Sequence, residues 1–372
     1  MKAARHHLQS LDAFRGVTIA AMIVVNNPGD WTAVYEPLLH ASWNGWTIAD
    51  LVFPSFIFIM GFAMPFAFAR RREGATGMAP LHGRIARRAL ALVLLGLLLN
   101  VVAAWQTRMP VRFPGVLQRT GIVYFVAAMM VLHTKPRTWP AIAALMMLAH
   151  WALLTLVPFD SVPAGSMTYE HNLSGYLDAM VFGRHSHKPF GDPEGILGTM
   201  TAVATALVGA CAGEIVRQPR SDRTKIAALL CGGAVSIACG LAWSRVLPIN
   251  KPLWTGSYVL FTSGVAAVAF AAFYWFVDVL GMRTIVRPFV WLGVNPLALY
   301  FLSELVGHAI EQGLVRQGAQ WTTAKAWLYW RVFAPLSGDL SPSASLVFAL
   351  LFAALWLGVA AVLYRRGIRI QV

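Results

Sequence analysis

Ten stretches of this 372-residue chain run for close to twenty residues each with few charges, and that repetition constrains the fold more than any other feature. They are about Leu11–Asn27, Trp46–Ala69, Ala89–Trp105, Val116–His133, Trp139–Val157, Ile196–Glu214, Ile226–Val246, Gly256–Leu280, Phe289–Gly307 and Ala344–Tyr364. A helix needs roughly 20 apolar residues to cross ~30 Å of hydrocarbon. Inside lipid the backbone must satisfy its own hydrogen bonds, which leaves helices or closed barrels. Only 12% of the residues are charged and 58% are hydrophobic, whereas soluble domains carry about 25% charged residues. The sequence therefore predicts an all-α polytopic membrane protein of about 10 transmembrane helices, organised as a single domain over 1–372.

Charge sets the expected orientation. The net charge is +14, but the arginines sit in short clusters between apolar runs, which is the pattern of topology signals and argues against nucleic acid as a partner. With ten spans, twenty of the thirty basic residues fall on one side, among them Lys2, Arg15, Arg70–Arg72, Arg84, Arg87, Arg88, Arg217, Arg283 and Arg365. The positive-inside rule makes that side cytoplasmic, with both termini. The first apolar run follows MKAARHHLQS without a small-residue cleavage site and reads as a retained helix. Cys211, Cys231 and Cys239 all lie in apolar segments, so no structural disulfide is expected. No internal repeat of the transporter kind is visible.

The segment His40–Gly61, HASWNGWTIADLVFPSFIFIMG, places a histidine, Asn44 and Asp50 at the outer mouth of the second span. Ionisable groups at membrane depth are costly and mark functional sites by default. An imidazole titrates near neutrality and suits a general base or a nucleophile; an interfacial histidine that only bonds a loop is the competing reading. Asp50, about one turn into the span, must be paired or protonated. It either orients His40 or pairs with an arginine for structure. Asn26 and Asn27 end the first span before Pro28–Gly29. A side-chain amide there can donate to an oxyanion, but Asn–Asn–Pro–Gly also suits a helix C-terminus, and alone that reading outweighs the other. Asp12 and Arg15 share a helix face. Asn295 and Glu304 sit nine residues apart in the ninth span, where they line a cavity or join helices. His185 and His187 have a metal-compatible spacing, but no carboxylate or cysteine completes a site, so a solvated loop is expected and no metal. His171 and Asp178 of the same loop could meet a sugar.

HASWNGWTIADLVFPSFIFIMG and RFPGVLQRTGIVYF (Arg112–Phe125) closely resemble the signatures of the heparan-α-glucosaminide N-acetyltransferase family. DPEGILGT from Asp192, PINKPLWTGSYV from Pro248 and WLGVNPLALYFLSE follow in the family's order. SLDAFRG is similar to a motif of the broader membrane acyltransferases that modify polysaccharides. The resemblance runs from Ser10 to the last helix. It implies a bacterial inner-membrane enzyme that carries an acetyl group from cytoplasmic acetyl-CoA to a glucosamine-type amine on the periplasmic side. It assigns His40 as base or acetyl-accepting nucleophile. Counting ten residues from Gly16 of the Phe–Arg–Gly places the family's catalytic asparagine at Asn26, with Asn27 as stand-in. Asp50 completes the set.

For the donor's phosphates the basic residues Arg15, Arg84, Arg88 and Arg119 are candidates, since arginine matches phosphate with bidentate geometry. Plain topology determination competes with this for Arg84 and Arg88. Asn44, Asn295 and Glu304 are candidates for the acceptor. The animal enzymes' luminal region and additional helix would precede this core. The expected partners are acetyl-CoA, an amino sugar and membrane lipids, and a homodimer is compatible with the sequence. The rival reading is an amino-sugar or small-molecule transporter without chemistry. Ten helices and a few buried polar groups suit it, but the His–Asn–Asp constellation does not follow from it.

Overall fold

A computed structural model describes residues 8–72, 79–187, 190–317, 320–337 and 341–370. Helices occupy all ten apolar stretches. In chain order they are α1 (Gln9–Asn26), α2 (Ala49–Arg72), α3 (Ala79–Thr107), α4 (Val116–His133), α5 (Trp139–Leu156), α6 (Leu173–Phe182), α7 (Ile196–Arg217), α8 (Asp222–Trp243) and α9 (Gly256–Phe273). Then come α10 (Arg283–Val294), α11 (Pro296–Gln312), the strands β1 (Leu314–Gln317) and β2 (Gln320–Thr323), the short α12 (Ala324–Leu328) and α13 (Ala334–Ser337), and α14 (Pro342–Arg365). The strands pair as an antiparallel hairpin with Leu314 opposite Thr323.

Among the described residues, eight helices are long and apolar enough to cross a membrane. They make the chain a multi-pass membrane protein. The expected ninth span is broken: α10 and α11 meet at 73°, and counting that pair as one span gives nine. The bend falls at Asn295–Pro296, where proline supplies no N–H and disfavours helix in the residue before it. α1, which carries Asp12 and Arg15, is not among the eight.

The contacts divide the chain into two compact units. The first comprises the described parts of Met1–Leu39, Asp222–Ala227 and Val268–Gln371; the second comprises His40–Ser221 and Ala228–Ala267. In the first unit α1 crosses α10 at very short range. A Cβ on Gly16 would lie 1.8 Å from the Phe289 carbonyl oxygen, and one on Gly293 would lie 1.8 Å from that of Asp12. Only glycine permits this approach.

The second unit is built on α2 against α7. Here too small residues set the contact: a Cβ on Gly61 would sit 1.9 Å from the Ala206 carbonyl oxygen, and those on Gly209 and Gly213 would each come within 2.1 Å of a carbonyl of α2. Helices in lipid gain little from apolar burial against one another, so close backbone packing through small residues provides the attraction. Ile57, Ala206, Leu207 and Ala210 are fully buried in the core around this contact, with Val123 and Ala127 from α4 and Ala143 from α5. α3 presents Leu90, Leu94, Leu98 and Trp105 outward, as a lipid-facing helix does.

Candidate active site

The site grows from the start of α2. Asp50 is 1% exposed and lies in the first turn, where a carboxylate is favoured by the unpaired N–H groups and the positive end of the helix dipole. Its Oδ2 atom accepts hydrogen bonds from Ala41 N (3.0 Å), Thr47 N (3.1 Å) and Thr47 Oγ1 (3.2 Å). The bond back to Thr47, three residues earlier, is the logic of a capping box. One oxygen thus fixes the loop that carries His40. The other is turned to the imidazole: His40 Nδ1 lies 2.8 Å from Asp50 Oδ1, with the histidine side chain half exposed.

A third group completes this arrangement, and nothing in the PINKPLWTGSYV stretch singles it out. Lys251 Nζ lies 3.3 Å from Asp50 Oδ1 and 3.0 and 3.2 Å from the Nδ1 and Nε2 atoms of His40. Burial pushes the Lys251 ammonium's pKa down, against the pull of the Asp50 carboxylate. The turn that delivers Lys251 is tied to the His40 loop by Asn250, which is completely buried. Its Nδ2 donates to Trp43 O and Asn44 Oδ1, both at 3.1 Å, and its Oδ1 accepts from Leu253 N. Gly45 N reaches Ile249 O at 2.8 Å. Trp254 follows in the left-handed region at φ 53°, which costs a non-glycine residue on the order of 1–3 kcal/mol. It is held there by burial, by its indole bond to Thr205 Oγ1 and by edge-on contacts with Phe53 and Tyr258.

His40, Asp50 and Lys251 line a cavity of about 310 Å³. The opposite wall comes from the loop before α4 and the long loop before α7. There Arg112 bonds Asp192 and Glu194 together. Burial opposes the charges, but Glu194 and Asp192 outweigh it and push the Arg112 pKa up, while Arg112 holds Asp192 below the usual carboxylate range. Asp178 lies beneath, fully buried, and accepts from Ile196 N (2.9 Å) and Asp192 N (3.2 Å). Burial pushes its pKa up to about 6 despite these bonds. Trp43, Tyr169 and Phe190 supply aromatic faces. Trp43 donates to Met167 O and meets Tyr169 edge-on at 5.3 Å. The cavity combines an imidazole, carboxylates, cations and rings, which suits a polar ligand rather than a purely apolar one.

The remaining expected residues have the following places. Asn44 is exposed, does not line the cavity and serves as an acceptor for Asn250. Arg119, expected at the donor's phosphates, is instead 1% exposed, with Nη2 on Gly195 O at 3.0 Å and its guanidinium 4.8 Å over the Trp254 ring. Its Nε and Nη1 atoms are buried there with no hydrogen-bond partner among the described residues. Arg84 and Arg88 are exposed on α3; Arg84 Nε reaches Pro80 O, and Arg88 lies 4.7 Å over the Tyr124 ring. The side chains of Arg70–Arg72 lie outside the described residues. His185 is engaged with Val111 O and stacks on Phe113 at 4.2 Å, and the His187 backbone N–H donates to Asp192. His187 lines the cavity, whereas His171 is exposed and closes a turn with Thr168. Among the described residues no group of three or more His, Cys, Asp or Glu is placed to hold a metal.

The first unit holds the rest. Asn26 Nδ2 donates to Glu304 Oε1 at 2.9 Å. Asn27 caps α1: its Nδ2 bonds Ile23 O at 2.9 Å, and its Oδ1 packs where a Cβ on Gly307 would clash. Asn295 holds the tail after α14, donating to Ile368 O and accepting from Ile370 N, so it has a structural task instead of the expected acceptor contact. Arg15 bonds Asp12 and the Gly293 carbonyl.

Residues 7–174 match the family model for the catalytic region of heparan-alpha-glucosaminide N-acetyltransferase. The chain is 30% identical to the heparan-alpha-glucosaminide N-acetyltransferase of Homo sapiens and 29% identical to that of Mus musculus, in alignments covering 99% and 98% of the chain. The chain is similar to these N-acetyltransferases. It spans 60% of the length of each. The region matched by the N-acetyltransferase model contains Asn26, His40, Asp50 and Arg112, together with Tyr169 and Asn172 of the cavity wall. Asp192, Glu194 and Lys251 lie beyond it.

Proposed function

We propose that the chain is an acetyl-CoA-dependent N-acetyltransferase that moves an acetyl group across a bacterial inner membrane to the amine of a glucosamine-type sugar. The observation that carries this reading is the buried Asp50 carboxylate held 2.8 Å from His40 Nδ1 at the edge of a polar cavity. When Nδ1 donates to this carboxylate, the proton is held on that nitrogen and the Nε2 lone pair is left as base, as in base-and-orienter pairs. The acceptor amine then loses its proton to Nε2 as it attacks the thioester carbonyl. The carbon–sulfur bond breaks and the CoA thiol leaves. A transfer into a recessed site also keeps water from the thioester.

The donor comes from the opposite end of α3. Arg88 stacks on Tyr124, eight residues and therefore ~12 Å along α4 from Val116 of the cavity wall. Arg84 is one turn further away. These exposed guanidiniums are the proposed holders of the CoA phosphates, on the face that the positive-inside rule makes cytoplasmic. The cavity is then periplasmic.

The reading is tested with purified protein, labelled acetyl-CoA and glucosamine. Label appearing on the sugar supports it. Sugar flux into liposomes without acetyl-CoA, and with no label on the sugar, would favour a transporter instead.

A further inference from the structure

The cavity contains an amine of the protein's own. Lys251 Nζ lies 3.2 Å from the nitrogen proposed as base and 3.3 Å from the carboxylate that orients that base. An acceptor amine must present its nitrogen to the same imidazole. Two ammonium groups do not share one carboxylate and one imidazole at this range without repulsion, so the acceptor's nitrogen and Lys251 Nζ compete for one place.

We propose that Lys251 is itself an acetyl acceptor, modified by the bound donor when no sugar occupies the cavity. This rests on the acetyltransferase reading above. The chemistry is that of the main reaction with a different nucleophile. His40 Nε2 takes a proton from the Lys251 ammonium. The freed Nζ attacks the thioester carbonyl, an N–C bond forms as the C–S bond breaks, and CoA leaves as the thiol. The product is an Nε-acetyl-lysine, and no oxidant or further reactant is needed.

Three features favour the step. The nucleophile is tethered, which replaces a bimolecular encounter with an intramolecular one. The side chain is only 12% exposed, so burial disfavours its charged form. The turn that holds it is fixed by Asn250 and by the buried Trp254, which keeps the amine at the imidazole. The consequence is a self-imposed block. An acetylated Lys251 has no charge to share with Asp50, and its acetamide fills part of a cavity of about 310 Å³, already at the small end for a ligand site. The enzyme would spend acetyl-CoA without an acceptor only once per molecule.

The test uses the full chain in lipid nanodiscs with isotopically labelled acetyl-CoA and no sugar. Peptides from a chymotryptic digest are then examined by mass spectrometry, with and without glucosamine in the incubation. Label should accumulate on Lys251, and glucosamine should suppress it in proportion to its own acetylation. His40→Gln should slow labelling by at least ~10²-fold, the usual worth of a general base. Lys251→Arg should remove the labelled peptide.

Unlabelled Lys251 under conditions in which glucosamine is acetylated would overturn the inference and leave the acetyltransferase reading standing. Label on Lys251 at equal rate in His40→Gln would also overturn it, because that is uncatalysed acetylation by the thioester. Label on Lys251 that depends on His40, with none on glucosamine, would support the inference and remove only the sugar from the functional reading. No label on either would overturn both.

Discussion

Asp50 divides its carboxylate between two tasks, and His40 receives one of them: Oδ2 holds the backbone of Ala41 and Thr47, while Oδ1 stands 2.8 Å from the imidazole Nδ1. Positioning of the loop and orientation of the proposed base are therefore properties of one buried residue. A change there has both a structural and a chemical effect, and the two can be separated by choice of substitution.

His40→Ala should abolish acetyl transfer while the protein inserts and melts normally, since the side chain is half exposed and supports little packing. The loss should be ~10²–10⁴-fold in kcat. Asp50→Asn keeps the size of the side chain and an acceptor for the loop, but an amide in place of a carboxylate no longer fixes the tautomer. It should lower kcat strongly with a small change in Tm, whereas Asp50→Ala should lower both. Near wild-type turnover in His40→Ala, measured with labelled acetyl-CoA, would remove the assignment.

The adjacent asparagines should separate in the same way. Asn27 is buried and bonds the end of α1, so Asn27→Ala should cost stability, about 0.5–1.5 kcal/mol for the lost hydrogen bond, with turnover largely kept. The Asn26 side chain donates to the Glu304 carboxylate of α11. If the resemblance assigns it correctly as an oxyanion donor, Asn26→Ala should lower kcat by ~10²–10³-fold more than it changes acetyl-CoA affinity. Damage from Asn27→Ala alongside a silent Asn26→Ala would shift the assignment by one residue.

Asp178 makes stability depend on pH in a direction opposite to the usual carboxylate. Its pKa in the fold is pushed up to about 6 by burial, above the ordinary ~3.9 of an unfolded chain. Between those values the folded state binds more protons than the unfolded one. This contribution is therefore fully present below about pH 4 and is lost as pH rises through 6. Melting temperatures should show wild type gaining stability relative to Asp178→Asn as pH falls from 7 to 4. Asp192, held below the usual range by Arg112, acts in the opposite sense and only at lower pH. A constant difference between the two proteins across this range would show that Asp178 does not titrate there.

The sequence made the helices legible because lipid imposes one length and one composition on every span, as at Val116–His133, where expected and observed limits coincide. It offered the His40–Asp50 pairing as one of two readings, the other being an arginine partner for Asp50: the two lie ten positions apart with a helix start between, which leaves few geometries but does not choose the partner. The bend at Asn295–Pro296 was written in the sequence as a helix-breaking pair, but it lay inside an apolar run that reads as one span. Lys251 was not legible as a site residue. It is 201 residues from Asp50 along the chain, and long-range bonds, from Asn250 to Trp43 and Asn44 and from Tyr258 to the Asp50 carbonyl, bring its turn to the cavity. The same holds for Arg112 with Asp192 and Glu194, whose pairing depends on how a long loop folds back. Arg119 misled for a related reason. A charge at the start of a span suggests an exposed ligand contact, whereas the guanidinium is buried over the Trp254 ring.

Sidedness gives the last prediction. Arg84 and Arg88 lie toward one end of α3, and Arg112 and the cavity lie past the other. If the first end is cytoplasmic, the two substrates meet from opposite faces of the bilayer. In oriented vesicles, acetyl-CoA supplied to the face bearing Arg84 and Arg88 should acetylate glucosamine confined to the other face. Replacing both arginines by glutamine should raise the KM for acetyl-CoA by ~10-fold or more, since a hydrogen bond to a charged group is worth about 1.5–3 kcal/mol. The KM for glucosamine should barely change, because neither residue lines the cavity. Added salt should shrink the difference between wild type and variant, as exposed charges are screened within ~10 Å at 0.1 M. Transfer only when both substrates share a face would defeat the transmembrane reading. A double variant that binds acetyl-CoA normally would move the phosphate site elsewhere, with Arg15 next to be replaced.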